Sequence, residues 1–149
     1  MATTIEKFGR VLPYSCEQIF DLLADIERYP EFLPGWISAR IVLRSGDACD
    51  VEQVLGFGPM RVPFRSGAVL YRPTRIDISS ADGHFRHYSQ SMHVTAQDAG
   101  GCRMSIAAQL ELRSPWLQPM ASRMLPESIV QSIAAFEARA ASLYERHQR

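Results

Sequence analysis

Between Trp36 and Leu112 apolar side chains recur at every second position, and beyond Ser114-Pro115 the period changes to that of a helix. Period two over so long a stretch, punctuated by turn residues, commits the middle of the chain to successive strands with short connections. Such strands form an antiparallel sheet with one apolar and one polar face. The helical segment carries one apolar stripe, which must be buried on the apolar face of that sheet. The chain is therefore expected to be α+β: a curled sheet of about seven strands around a long C-terminal helix, roofed by two short N-terminal helices. One helix cannot fill the interior of such a sheet, and the part it leaves uncovered is a cavity.

Ile37, Ala39, Ile41 and Leu43 alternate with Ser38, Arg40 and Arg44 up to a turn at Ser45-Gly46-Asp47. Val51, Gln53, Leu55 and Phe57 form the next row, closed by Gly58-Pro59, and Met60, Val62, Phe64, Ser66, Ala68 and Leu70 the one after. Pro63, on the polar parity, predicts an edge or a bulge there. Arg75 to Ser80 is a short strand with Ile76 and Ile78 inward. Tyr88, Gln90, Met92 and Val94 face inward next, Asp98-Ala99-Gly100-Gly101 is a hairpin turn, and Met104, Ile106, Ala108, Leu110 and Leu112 form the last row. Ahead of the meander, Thr4 to Leu12 reads as a strand anchored by Ile5 and Val11. Ser15 with Gln18 makes a capping box that opens a helix from Glu17 to Asp25. Pro30 opens a short helical turn that Pro34-Gly35 closes. At the far end Ile129, Ile133, Phe136, Ala140, Leu143 and Tyr144 recur at helical spacing, and Pro126 makes the segment one kinked helix or two in series.

With 149 residues, 46% apolar and 21% charged, one domain over 1–149 can hold together without metal or disulfide. Sixteen basic and sixteen acidic residues cancel, which argues against a free-standing DNA binder. Lys7 is the only lysine, so Schiff-base chemistry and a phosphate-cradling lysine have no residue elsewhere. Cys16, Cys49 and Cys102 describe neither a disulfide framework nor a zinc site, and predict a reduced, cytoplasmic protein. Met1 to Lys7 lacks the apolar run of a secretory leader.

Few residues invite catalysis. His84 and His87 fall on opposite faces of a strand and lack a third metal ligand. Cys102 and His93 read as polar-parity residues on either side of the Asp98–Gly101 hairpin, the thiol unreactive, and Cys16 sits in a helix first turn. Asp21 with Asp25, and Glu27 with Glu31, read as solvated helix faces. Arg40, Arg44, Arg61 and Arg65 form a solvated outer face, or in a second reading a contact for RNA phosphate or anionic membrane. No catalytic residue, metal site or cofactor is assigned. Gln53, Ser66 and Gln90 are more informative, because they stand on apolar rows. A buried amide without a partner costs about 1–3 kcal/mol, so these residues bond each other, hold water, or face a ligand with a carbonyl or hydroxyl.

Tyr29-Pro30-Glu31-Phe32-Leu33-Pro34 after a capped helix, with Asp82-Gly83 and Phe85-Arg86-His87, Pro73-Thr74-Arg75-Ile76-Asp77 and Ala135-Phe136-Glu137 in order, resembles the coenzyme Q-binding/ribosome-association-toxin family of START-like (polyketide cyclase, SRPBCC) domains. The likeness runs from Lys7 to Tyr144. It implies a helix-grip fold with a hydrophobic tunnel and a hydrophobic small-molecule partner, an isoprenoid quinone or similar lipid, bound by a carrier or chaperone supporting respiration. It equally brings two alternatives: an aromatase/cyclase acting on a polyketide-like substrate, or a toxin-like protein interfering with ribosomal subunit association. A transient membrane contact is a further expectation. Departures from the family pattern at Gly35-Trp36-Ile37, Gln53, Met92 and Pro126 touch the tunnel lining. The ligand-binding residues expected are Phe32, Leu33, Trp36, Gln53, Leu55, Phe57, Phe64, Ser66, Tyr88, Gln90, Met92, Met104, Met120, Met124 and Phe136. The ligand head is expected near Gln53, Ser66 and Gln90 and the tail under Met120, Met124 and Phe136. Phe32, Leu33 and Trp36 are expected to form a lid against the Pro126 region.

Overall fold

A computed structural model describes residues 3–57 and 59–145. The side chains of Ile5 and Phe57, and Gly58 of the expected turn, lie outside the described residues. Seven strands, β1 (Thr3–Leu12), β2 (Trp36–Ser45), β3 (Ala48–Phe57), β4 (Met60–Tyr71), β5 (Arg75–Ser80), β6 (Phe85–Ala96) and β7 (Cys102–Leu112), form one antiparallel sheet in the order β1-β7-β6-β5-β4-β3-β2. Helix α1 (Cys16–Ala24) and a 3-10 helix (Ile26–Glu31) precede β2, and α2 (Gln118–Tyr144) follows β7. This is the helix-grip arrangement: a curled meander around one long helix.

Local chemistry accounts for the element ends. Ser15 Oγ accepts from the Gln18 N–H at 3.1 Å while Gln18 Oε1 accepts from the Ser15 N–H at 3.0 Å, so the capping box forms as its spacing predicts. Gly101 lies at φ +79°, and a Cβ there would meet the Leu12 carbonyl oxygen at 2.4 Å. Only glycine lets the β6–β7 hairpin approach β1 this closely. Gln118 fastens the start of α2: its Oε1 accepts from Leu112 N at 2.6 Å and its Nε2 donates to Leu110 O at 3.2 Å. Pro126 is accommodated inside α2, which runs as one 27-residue helix rather than two. Among the described residues no helix is long and apolar enough to cross a membrane.

Parity holds where the ladder is regular and fails at bulges. Along β4, Val62, Phe64, Ser66 and Ala68 are buried while Arg61, Pro63 and Arg65 are exposed. β5 pairs with β4 only over Gly67–Tyr71, so Pro63 sits on a stretch with β3 alone as neighbour. In β2 the register shifts between Trp36 and Ser38 and again between Ile41 and Leu43. Each inserted residue reverses the facing of what lies beyond it. Ile37 and Leu43, expected inward, are therefore 41% and 57% exposed, and Trp36 turns inward instead. A third bulge between Phe85 and His87 turns both Phe85 and Tyr88 toward the interior.

The core joins Ile19, Phe20 and Leu23 of α1 with Ile76, Met92, Met104 and Ile106 of the sheet and Ile129, Ile133, Phe136 and Ala140 of α2. Cys102 belongs to this core and is fully buried, correcting its assignment to the polar face. Burial, with the neighbouring Cys16 thiol adding to the effect, pushes its own thiol up to about 12. His93 does not face it: His93 pairs with Ser105 and Cys102 with Ala96. All four N-terminal carboxylates are engaged rather than merely solvated, Asp25 through a 4.0 Å ion pair with Arg28. Asp21 accepts twice from Arg72, Glu31 from Arg28 and Arg139, and Glu27 accepts from the Ile41 N–H on edge strand β2.

Candidate functional site

Between α2 and the concave face lies a cavity of about 340 Å³. Its floor is Leu55 of β3, Phe85, Tyr88 and Gln90 of β6, and Ile106 and Leu110 of β7. Its roof is Ala121, Met124, Leu125, Ile129 and Phe136 of α2. Tyr29, Leu33 and Trp36 close one end, and exposed Pro34, Gly35, Glu127, Ser128 and Gln131 rim the mouth.

Aromatic rings define both ends. Tyr29 meets Trp36, Phe136 and Phe32 edge-on, with centroids 5.0, 5.6 and 6.2 Å apart. That geometry sets positive ring edges against negative ring faces. Phe32 packs against Phe136 at 5.5 Å, and the Arg139 guanidinium covers its ring at 5.1 Å. At the opposite end Phe85 contacts Phe64 at 4.7 Å and Tyr88 at 5.3 Å.

The polar chemistry inside is sparse. Tyr29 donates its hydroxyl to the Leu23 carbonyl, and Tyr88 donates to Gln90 Oε1. Burial raises both phenols far above their ordinary range, so they act only as neutral hydrogen-bonding groups. With Oε1 engaged by Tyr88, the Gln90 amide N–H₂ has no partner among the described residues and stands in the cavity wall. Glu127, at the exposed rim, is the one carboxylate of the lining, which includes no histidine. No group of three or more metal-ligating side chains occurs among the described residues.

Of the residues named from sequence, Leu33, Trp36, Leu55, Tyr88, Gln90, Met124 and Phe136 line this cavity together. Met120 lines a smaller apolar pocket with Met60, Val62 and Leu117, which shares Phe85, Leu110, Ala121 and Met124 with the main cavity. Phe64 stands behind Phe85, and Phe32 behind Tyr29 and Phe136. Met92 and Met104 are fully buried in the core with α1, away from the cavity lining. Gln53 and Ser66 bond each other, Ser66 Oγ donating to Gln53 Oε1 at 3.1 Å, and neither lines the cavity. The expected lid is only partly assembled: Leu33 and Trp36 share the lining with Leu125 and Glu127, but Phe32 lies against Phe136 and Arg139 instead.

Sequence reasoning missed Tyr29, Phe85 and Leu125 as lining residues, and the polar row Ser128, Gln131 and Ser132. The bulge hid Phe85. The polar row was legible as residues at helical spacing beside Ile129 and Ile133.

Residues 12–137 match the polyketide cyclase/dehydrase and lipid transport family. The chain belongs to that family. Among polyketide cyclase/lipid transport relatives, the Pseudomonas aeruginosa protein named Ribosome association toxin RatA is 27% identical over 145 residues, covering 97% of this chain and 99% of that protein. The Xenopus laevis protein named Coenzyme Q-binding protein COQ10 homolog B, mitochondrial, is 22% identical over 144 residues, covering 94% of this chain and 59% of that one. A START superfamily protein from Mycobacterium smegmatis superposes with a TM-score of 0.80 at 18% identity, covering 94% of this chain and 98% of its own. The shared family fold is therefore START-like, and hydrophobic ligand binding is the property the family suggests for this polyketide cyclase/lipid transport member.

Proposed function

We propose that this protein binds a hydrophobic small molecule whose head carries a hydrogen-bond acceptor, of the isoprenoid quinone class, in the cavity under α2, and acts as a carrier. The observation that supports this most is the free Gln90 amide N–H₂ on the cavity floor, set among Leu55, Phe85, Ile106 and Leu110. A quinone carbonyl is a matching acceptor. Cavities of roughly 300–1,000 Å³ enclose small organic ligands, and a volume of about 340 Å³ admits a quinone ring with the first units of its chain. The rest of a long chain would leave between Pro34-Gly35 and α2. Binding rests on burial, about 25 cal/mol for each Å² of apolar surface removed from water. An acid or base enclosed with the ligand, as an aromatase or cyclase reading calls for, has no candidate in this lining beyond the exposed Glu127.

Native mass spectrometry of the purified protein, with thermal melting in the presence of a short-chain quinone, tests the reading. A bound lipid mass and a raised Tm are expected. Bare protein mass together with an unchanged Tm would sink it. A ribosome-directed role is the second reading, supported by the name of the P. aeruginosa relative. An unaltered subunit-to-monosome ratio on a sucrose gradient after overexpression removes it. Arg40 and Arg65 of the outer sheet face do not favour that role, since they are spent on Glu52 and Asp50.

A further inference from the structure

Trp116 is 90% exposed, the most exposed of the large apolar side chains described. It belongs to the link between β7 and α2; in this link and the first turn of α2, Pro115 and Pro119 are also exposed and Leu117 and Met120 half-buried. Leu117 and Met120 line the smaller apolar pocket together with Met60 from the start of β4 and His84 from the β5–β6 loop. Three connections thus gather at one end of the sheet around an apolar opening. Only Phe85, Leu110, Ala121 and Met124, common to both linings, stand between it and the main cavity.

The exposed arginines at this end differ from most of those elsewhere, Arg44 and Arg103 being the exceptions. Arg40, Arg65, Arg72 and Arg139 each hold a carboxylate within 3.1 Å. Arg61, Arg86 and Arg123 are exposed, and among the described residues none of them is paired with an acid. From Ser114 to Pro126 the chain contains no acidic residue, with Glu111 and Glu127 the nearest on either side. An apolar centre with an indole at its tip and a fringe of free guanidiniums is complementary to an anionic bilayer. Indole settles at the headgroup level, and each nearby cation adds about 1 kcal/mol of attraction to an anionic surface.

We propose that this end of the molecule docks on anionic lipid bilayers through Trp116, Leu117 and Met120, with Arg61, Arg86 and Arg123 on phosphate groups, so that the smaller pocket opens onto the lipid. Docking concerns the surface alone and does not require the ligand assigned above. The experiment is flotation of the full chain with phosphatidylcholine vesicles, with or without about 30 mol% phosphatidylglycerol. Trp116 emission is read in parallel in a Trp36→Phe background. The protein is expected to float with the anionic vesicles and the Trp116 emission to move to the blue. Trp116→Ser should lower the partition coefficient roughly tenfold, and Arg123→Glu should weaken binding to the anionic vesicles only. Near-ultraviolet circular dichroism, which reports Trp36 in Trp116→Ser, shows whether that variant is folded. Failure of the unmodified protein to float, or equal flotation of folded Trp116→Ser, overturns the proposal. So does retention on purified ribosomal subunits, lost in Trp116→Ser, without any vesicle binding. That result would give the face to the ribosome.

Discussion

Ser66 on β4 donates to Gln53 on β3 at 3.1 Å, with both side chains buried. The pair is diagonal in the ladder, since Gln53 lies opposite Phe64 and Ser66 opposite Val51. Ser66→Ala leaves the amide unpaired, and a loss of about 1–3 kcal/mol is expected. The double substitution Gln53→Leu with Ser66→Ala should recover part of it. Urea denaturation of the four proteins in a double-mutant cycle measures the coupling. Quinone affinity should be the same in all four.

Gln90 behaves differently under the same treatment. Gln90→Leu removes the acceptor of the buried Tyr88 hydroxyl, so it should lower stability, and Tyr88→Phe with Gln90→Leu should restore it. Ligand affinity should not follow stability. Both variants are expected to bind a short-chain quinone about fivefold to tenfold more weakly, the effect of one hydrogen bond. Isothermal titration against the quinone and its carbonyl-free hydrocarbon analogue separates the two effects. Equal losses for both ligands would place the head elsewhere.

Trp36 stands edge-on to Tyr29 at 5.0 Å and lines the cavity. With Trp116→Phe as background, its emission should shift as a ligand fills the space beside it. A ligand shown by calorimetry to bind, yet leaving that emission unchanged, would make Trp36 part of the static wall.

Arg72, by two hydrogen bonds, holds the Asp21 carboxyl below its ordinary range. A carboxyl lowered in the folded state contributes stability above its unfolded pKa and loses it as pH falls through the folded value. Wild type should therefore melt above Asp21→Asn at neutral pH, and the two should converge in acid below the carboxylate range. The pair is more than half exposed, so the difference should be small and should shrink in high salt. Melting curves across pH check this; a difference that persisted in acid would show that the asparagine acts by something other than charge.

Much of the sheet was legible because β4 alternates regularly and β7 does so except at buried Ser105, so Val62, Phe64, Met104 and Ile106 could be placed by parity alone. Facing was lost at Ile37 and Leu43, and Phe85 was left without one, because an inserted residue reverses the count and leaves no mark in residue type. That Gln53, Ser66 and Gln90 point inward followed from parity as well. Which of them bond each other depends on strand register and on a tyrosine two residues away, and pattern does not carry that information. Cys102 shares the parity of Met104 and Ile106 and belonged with them from the start.

The sheet order puts β1 beside β7, pairing Thr3–Leu12 with Cys102–Leu110. The two strands are separated along the chain by everything that forms the rest of the meander. Closing so large a loop is entropically costly and delays pairing. During synthesis β1 must wait, unpartnered, until β7 has emerged. The Leu12 carbonyl that sits against Gly101 marks the end of that wait: the last hairpin closes on the first strand, and nearly the whole chain must be present before either can settle.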